Sequence, residues 1–154
     1  MKFNTSFTTI WLLIILIACI ASCQSYRSSG NERANISYPA PAPDSVAKIF
    51  LPGIVSKEGL DFNAAFSADG KTFYFSRSRN GKYIIYESRY ADNQWQEATI
   101  SNLFDTLYSN TDPFVAADNA LYFISNRPKD KSDTTKDYDI YRISKQADGY
   151  AAPE

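Results

Sequence analysis

The sequence predicts an all-β fold built from a repeated antiparallel unit, and three observations carry that prediction. The stretch Phe66-Ser-Ala-Asp-Gly-Lys-Thr-Phe-Tyr-Phe75 returns as Phe114-Val-Ala-Ala-Asp-Asn-Ala-Leu-Tyr-Phe123, at an offset of 48. Downstream, Tyr83-Ile-Ile-Tyr86 returns as Tyr138-Asp-Ile-Tyr141, and Asn93-Gln-Trp95 as Asp148-Gly-Tyr150, both at an offset of 55. A repeat of this length marks one supersecondary unit used more than once, whose faces are buried only against its neighbours. Composition agrees: 11 Tyr and 10 Phe suit strands, and 44% hydrophobic with 21% charged residues is a globular balance.

The N-terminus reads as an address. Lys2 supplies a positive n-region and Ile10-Trp-Leu-Leu-Ile-Ile-Leu-Ile17 a short apolar h-region, closed by small residues up to Cys23. The apolar run covers about 12 residues, whereas a membrane-spanning helix needs roughly 20. Ile20-Ala-Ser-Cys23 resembles the bacterial lipobox, which implies cleavage between Ser22 and Cys23 and lipidation of Cys23. Two or three acyl chains on one residue hold a protein stably at a membrane. Cys19 lies within the signal, so the lipidated chain keeps no free thiol and no disulfide. Gln24 after the Cys resembles the sorting pattern of outer-membrane lipoproteins. Residues 23–45 are rich in Ser, Asn, Ala and Pro, with Pro39, Pro41 and Pro43 in alternation, and suit an extended tether.

Residues 46–154 then resolve into short strands separated by turn signals. The first repeat with its lead-in occupies 46–106. Its expected strands are Asn63–Ser67, Thr72–Ser76, Lys82–Ser88 and Trp95–Ile100. Asp69-Gly70 and Asn80-Gly81 provide the turns, because Gly accepts the positive φ that hairpin turns require. The second repeat, 107–154, offers Asp112–Val115, Leu121–Ser125 and Tyr138–Ser144, with Asp118-Asn119 as its turn, since Asn tolerates the left-handed region. Seven extra polar residues between Arg127 and Tyr138 read as a long hairpin tip. Four short antiparallel strands of this kind form a propeller blade.

Ala65-Phe-Ser-Ala-Asp-Gly-Lys-Thr-Phe-Tyr-Phe-Ser76 resembles the TolB-like β-propeller repeat, as do Asp112-Pro-Phe114, Leu121-Tyr-Phe123 with Arg127, and Tyr138-Asp-Ile-Tyr141. Ala68 stands where the family has Pro, and the second turn reads Ala-Asp-Asn in place of Pro-Asp-Gly. The resemblance covers 46–154 and implies a partial propeller. Closed rings have four to eight blades, whereas this stretch offers one blade and most of a second. The expectation is therefore an arc of a longer ring, with exposed edges and a tendency to pair with other copies.

Function is less legible. The absence of histidine removes the Ser-His-Asp triad, imidazole zinc sites and the commonest general base. A net charge of -1 argues against nucleic acid as a partner. Asp130, Asp133, Asp137 and Asp139 in the tip insertion match no EF-hand spacing, so the reading assigns no metal and no cofactor. Arg77, Arg79 and Arg127 offer bidentate contacts to an anionic ligand. Arg79 and Arg127 lie at equivalent places, which favours structural pairing with a carboxylate. Trp95 and Tyr150 are matched packing residues. The expected role is a non-catalytic, lipid-anchored module of the outer membrane that binds an envelope protein or glycan. The alternative is the N-terminal part of a propeller-containing hydrolase, either a glycosidase or a serine peptidase, recognisable by a downstream nucleophile elbow.

Overall fold

The computed structural model describes residue 36 and residues 44–154. The segment read as a signal peptide, Ser22, Cys23 and nearly all of the segment read as a tether lie outside the described residues. Within them there is no helix, and every sheet is antiparallel and open. The all-β expectation therefore holds at the level of class.

The first sheet contains β1 (Asp61–Phe66), β2 (Thr72–Arg79), β3 (Lys82–Ala91), β4 (Gln94–Trp95) and β5 (Thr99–Ile100). β2 runs three residues past its expected end because Arg77, Ser78 and Arg79 pair with Ile84, Tyr83 and Lys82 up to a two-residue turn. Asn80 and Gly81 both take positive φ there (51° and 76°), the geometry that matches strand twist in a tight hairpin. The single fourth strand expected at Trp95–Ile100 is split. Tyr90 and Ala91 pair with Trp95 and Gln94, then Glu87 and Tyr86 with Thr99 and Ile100. Between them the Ala98 amide donates to the Ile54 carbonyl at 3.3 Å, so the strand leaves β3 to bond the lead-in.

The second repeat forms β6 (Asn110–Val115), β7 (Leu121–Ser125) and β8 (Asp139–Ile143), followed by the small hairpin β9 (Lys145–Gln146) and β10 (Gly149–Tyr150). Lys145↔Tyr150 and Gln146↔Gly149 reproduce Tyr90↔Trp95 and Ala91↔Gln94 at an offset of 55. Arg142 and Glu154 exchange backbone hydrogen bonds of 2.8 and 2.9 Å, the counterpart of the Glu87↔Thr99 pair.

Register corrects one detail of the repeat. Phe62↔Ser76, Ala65↔Tyr74 and Phe66↔Phe73 correspond to Thr111↔Ile124, Phe114↔Tyr122 and Val115↔Leu121. The first strand and its turn are thus offset by 49, and Phe66 answers to Val115 rather than to Phe114. One residue is missing after the second turn, which closes from Ala116 N to Ala120 O, where the first closes from Ser67 N to Thr72 O. Each first strand carries a bulge at the same place, with Asn63 and Asp112 at φ of 49° and 55°. Such bulges re-aim a strand and increase its twist.

Alternation along the strands builds a layered core. One face of the first sheet (Phe73, Phe75, Ile84, Tyr86, Trp95) is covered by Leu51 and Val55 of the lead-in. Its other face presents Tyr74 and Ile85, which pack with Phe104, Leu121, Phe123 and Ile143. The first sheet therefore lies on the second as the lead-in lies on the first. Phe104, in the link between the repeats, meets Phe123 edge-on at 4.9 Å. Burial on this scale is the main source of stability in so small a fold.

Candidate functional site

The three arginines have separate fates. Arg77 extends from β2 on the same face as Phe75. Its Nε and Nη2 donate to the Asp61 carboxylate at 2.6 and 2.9 Å, and Nη2 also donates to the Val55 carbonyl at 2.8 Å. The guanidinium carbon lies 5.1 Å from the centre of the Phe75 ring and 4.8 Å from that of Tyr86. Hydrogen bonding to Asp61 holds the guanidinium above its ordinary pKa. Arg77 thus ties β2, β1 and the lead-in together.

Arg127 occupies the same environment in the second repeat. It lies 5.3 Å from Phe123 and 5.1 Å from Tyr141, the equivalents of Phe75 and Tyr86, and Nη2 donates to Asp105 at 2.7 Å. The structural counterpart of Arg127 is therefore Arg77, and the equivalence of Arg79 and Arg127 expected from the numbering holds only for the backbone. Position 125, which answers to Arg77, is Ser125. Beyond it the chain leaves the hairpin, so the Arg127 side chain folds back over the ring pair, with Nε donating to Ser125 Oγ at 3.2 Å. Arg79 cannot do this, because it is paired with Lys82 at the end of its hairpin.

Arg79 is the exposed member of the three. Its Nη1 donates to the Tyr86 hydroxyl at 3.3 Å, and it forms no ion pair among the described residues. Together with Asn80, Lys82, Ile84, Ile100 and Thr106 it lines an open cleft of about 330 Å³. Lys82 Nζ donates to the Thr106 and Leu107 carbonyls at 3.3 and 2.7 Å, which fixes its position at the mouth. None of the lining residues is an acid. Two cations over an isoleucine wall suit a ligand with an acidic group on a partly apolar body. The sequence reading did not single out Lys82; its signal was the Asn-Gly turn flanked by Arg79 and Lys82.

The paired turns are architectural in geometry. Asp69 Oδ1 accepts from the Lys71 amide and Asp118 Oδ1 from the Ala120 amide, each at 3.0 Å, while Gly70 and Asn119 take φ of 73° and 64°. Partial burial pushes the Asp69 carboxyl up, but the Ser67 hydroxyl and Lys71 amide bring it below its ordinary value. In the tip insertion, Asp133 accepts from the Lys129 and Thr135 amides, and Asp139 pairs with Lys129 at 3.2 Å. The Thr135 hydroxyl and these amides lower Asp133 to about 2. These carboxylates serve their own loop, and no group of three or more potential metal ligands occurs among the described residues. Trp95 is buried beside Phe50, Phe66 and Tyr90. Tyr150 packs on the inter-sheet cluster beside Tyr74.

The fold and site define an all-β, repeat-built protein with a cationic cleft at a hairpin end. No protein-family model, curated protein or solved structure matches the chain.

Proposed function

We propose that this chain is a lipid-anchored module of the bacterial outer membrane, tethered through Cys23, whose two sheets are consecutive blades of a TolB-like β-propeller. It binds an envelope protein or glycan and catalyses no reaction. The observation that carries the propeller reading is the layering. Two sheets with the same registers, the same bulge and the same guanidinium over a Phe–Tyr pair lie face to face, each covered by the layer before it.

Binding falls to the Arg79–Lys82 cleft, because Arg77 is committed to an ion pair within the first sheet and Arg127 to one with the link between the repeats. The partner presents an acidic group to Arg79 and Lys82 and an apolar patch to Ile100. The test is capture of envelope partners by the full chain in its own membrane, compared with the Arg79→Ala/Lys82→Ala double variant. Charge-assisted hydrogen bonds contribute roughly 1.5–3 kcal/mol each, so the variant should lose about tenfold or more in retention. Equal capture by both proteins would exclude the cleft. The anchor is checked alongside: Cys23→Ala should move the protein from the membrane to the soluble fraction.

A further inference from the structure

The link between the repeats borders the Arg79–Lys82 cleft, and its backbone is fixed along its length. Asp105 Oδ1 accepts from the Leu107 and Tyr108 amides at 3.0 and 3.3 Å, and Asp105 Oδ2 accepts from Arg127 at 2.7 Å. Asn110 Nδ2 donates to the Asp105 carbonyl at 2.6 Å. The Ser109 amide donates to Asn126 Oδ1, and its hydroxyl accepts from the Tyr83 amide, both at 2.8 Å. Lys82 Nζ closes the set on the Thr106 and Leu107 carbonyls. What this framework turns outward, beside the two cations, is the Leu107 side chain, 74% exposed. A lone exposed leucine is ordinary on a protein surface. One held at both its amide and its carbonyl, next to a cleft without acids, is pre-organised for a partner and loses little freedom on binding it.

We infer, resting on the cleft as the binding site, that its occupant is an acidic segment of a protein rather than a glycan. A carboxylate of that segment sits on Arg79 and Lys82, and a large apolar side chain of it packs over Leu107 and Ile100. The charges are free to do this. Arg79 spends a side-chain N–H on the Tyr86 hydroxyl and Lys82 holds two carbonyls, so both keep donors for a carboxylate.

The apolar part selects protein. Sugar rings are gripped by flat aromatic faces, and no aromatic side chain is among the residues lining this cleft. The exposed carbon here is branched and aliphatic, on Ile100 and Leu107. A hydroxylated sugar edge gains little by covering it, whereas an apolar side chain gains the full area removed from water. Cations at the rim of a small apolar centre are also the ordinary anatomy of a protein contact.

The test presents the full-length chain, in phosphatidylcholine nanodiscs, to a phage-displayed library of random peptides. Enriched peptides should share an acid within a few positions of a large apolar residue. A synthetic copy of the most enriched peptide should bind Leu107→Ala and Arg79→Ala about tenfold more weakly than the parent. Leu107→Met should bind as the parent does. So should Ile49→Ala, which trims a residue of the lead-in that is also 74% exposed. Polygalacturonate, an acidic glycan, is the parallel probe and should not displace the peptide at physiological salt. Polygalacturonate binding that weakens in Arg79→Ala but not in Leu107→Ala would keep the cleft and overturn the protein segment. Indifference of both probes to Arg79→Ala would remove the cleft and the proposal together. No enrichment, enriched peptides without the acid and apolar pair, or peptide binding that survives Leu107→Ala would each overturn the proposal as well.

Discussion

Replacing Arg77 with Ala should destabilise the fold several times more than replacing Arg79, although the two lie two residues apart on one strand. The Arg77–Asp61 pair is 14% and 18% exposed at its side chains, and two of its hydrogen bonds run to one carboxylate. Removing one partner of a buried pair costs about 3–5 kcal/mol. Residual solvent contact places Arg77→Ala near the lower end, about 3 kcal/mol, even with the Val55 carbonyl left without its donor. Arg79 forms one long hydrogen bond, and its loss should stay within about 0.5 kcal/mol. Arg127→Ala belongs between them, at roughly 1–2 kcal/mol, because Asp105 is 37% exposed. Urea unfolding followed by the fluorescence of buried Trp95 reads all three. With a slope of about 1–3 kcal/mol per molar urea, the Arg77→Ala midpoint should drop by about 1 M or more. A double-mutant cycle with Asp61→Ala should return a coupling of about 2 kcal/mol. Equal losses for Arg77→Ala and Arg79→Ala, or a coupling near zero, would refute the assignment of Arg77 as the counterpart of Arg127.

Phe123→Ala should cost about 3–5 kcal/mol, since the ring is fully buried between the sheets against Phe104, whereas Leu107→Ala, at an exposed site, should stay within about 0.5 kcal/mol. The comparison needs only thermal melts, and similar values for both would remove the inter-sheet core. Burial and the neighbouring Tyr150 raise the Tyr74 phenol above its ordinary value of 10.0. A raised folded-state value contributes stability that is complete below the unfolded pKa and is lost as pH climbs toward the folded one. Stability should therefore fall above pH 10 by about 1.4 kcal/mol per unit, and Tyr74→Phe should flatten that decline. An unchanged alkaline profile in Tyr74→Phe would assign the loss to other groups.

The strands and turns were legible because their signals are local. Asp-Gly and Asn-Gly mark positions where positive φ costs little, and Phe73-Tyr-Phe75 is the unbroken apolar run of a strand buried on both faces. The shift from 48 to 49 in β1 is hidden in the sequence, because Phe66 is identical to Phe114 and differs from Val115. Backbone pairing decided in favour of the latter. The split of the fourth strand was equally invisible: it depends on the Ile54 carbonyl, 44 residues upstream of Ala98. At the site, the sequence names three arginines and groups Arg79 with Arg127 as carboxylate-paired, whereas the fold pairs Arg77 and Arg127 with acids and leaves Arg79 without one among the described residues. Ranking needed Asp61 and Asp105, whose contacts exist only after the chain has folded back on itself. It also needed Ser125, whose lack of a long side chain leaves the ring pair open for Arg127.

That substitution of one arginine's place by another separates scaffold from surface in this molecule. A guanidinium over a Phe–Tyr pair is what each repeat needs to close the end of its sheet, and the two repeats obtain it from different backbone positions. The first repeat satisfies that need with Arg77, so its Arg79 is surplus to the architecture. The second satisfies it with Arg127 itself and has no equivalent surplus. The cationic cleft is accordingly confined to the first repeat, where Arg79 meets Lys82 beside the link to the second. Near-symmetry in the backbone thus yields asymmetry in the exposed charge. A partner that reads this surface distinguishes the two repeats by Arg79 and by Lys82, whose counterpart is Asp137, even though the sheets beneath them share their registers.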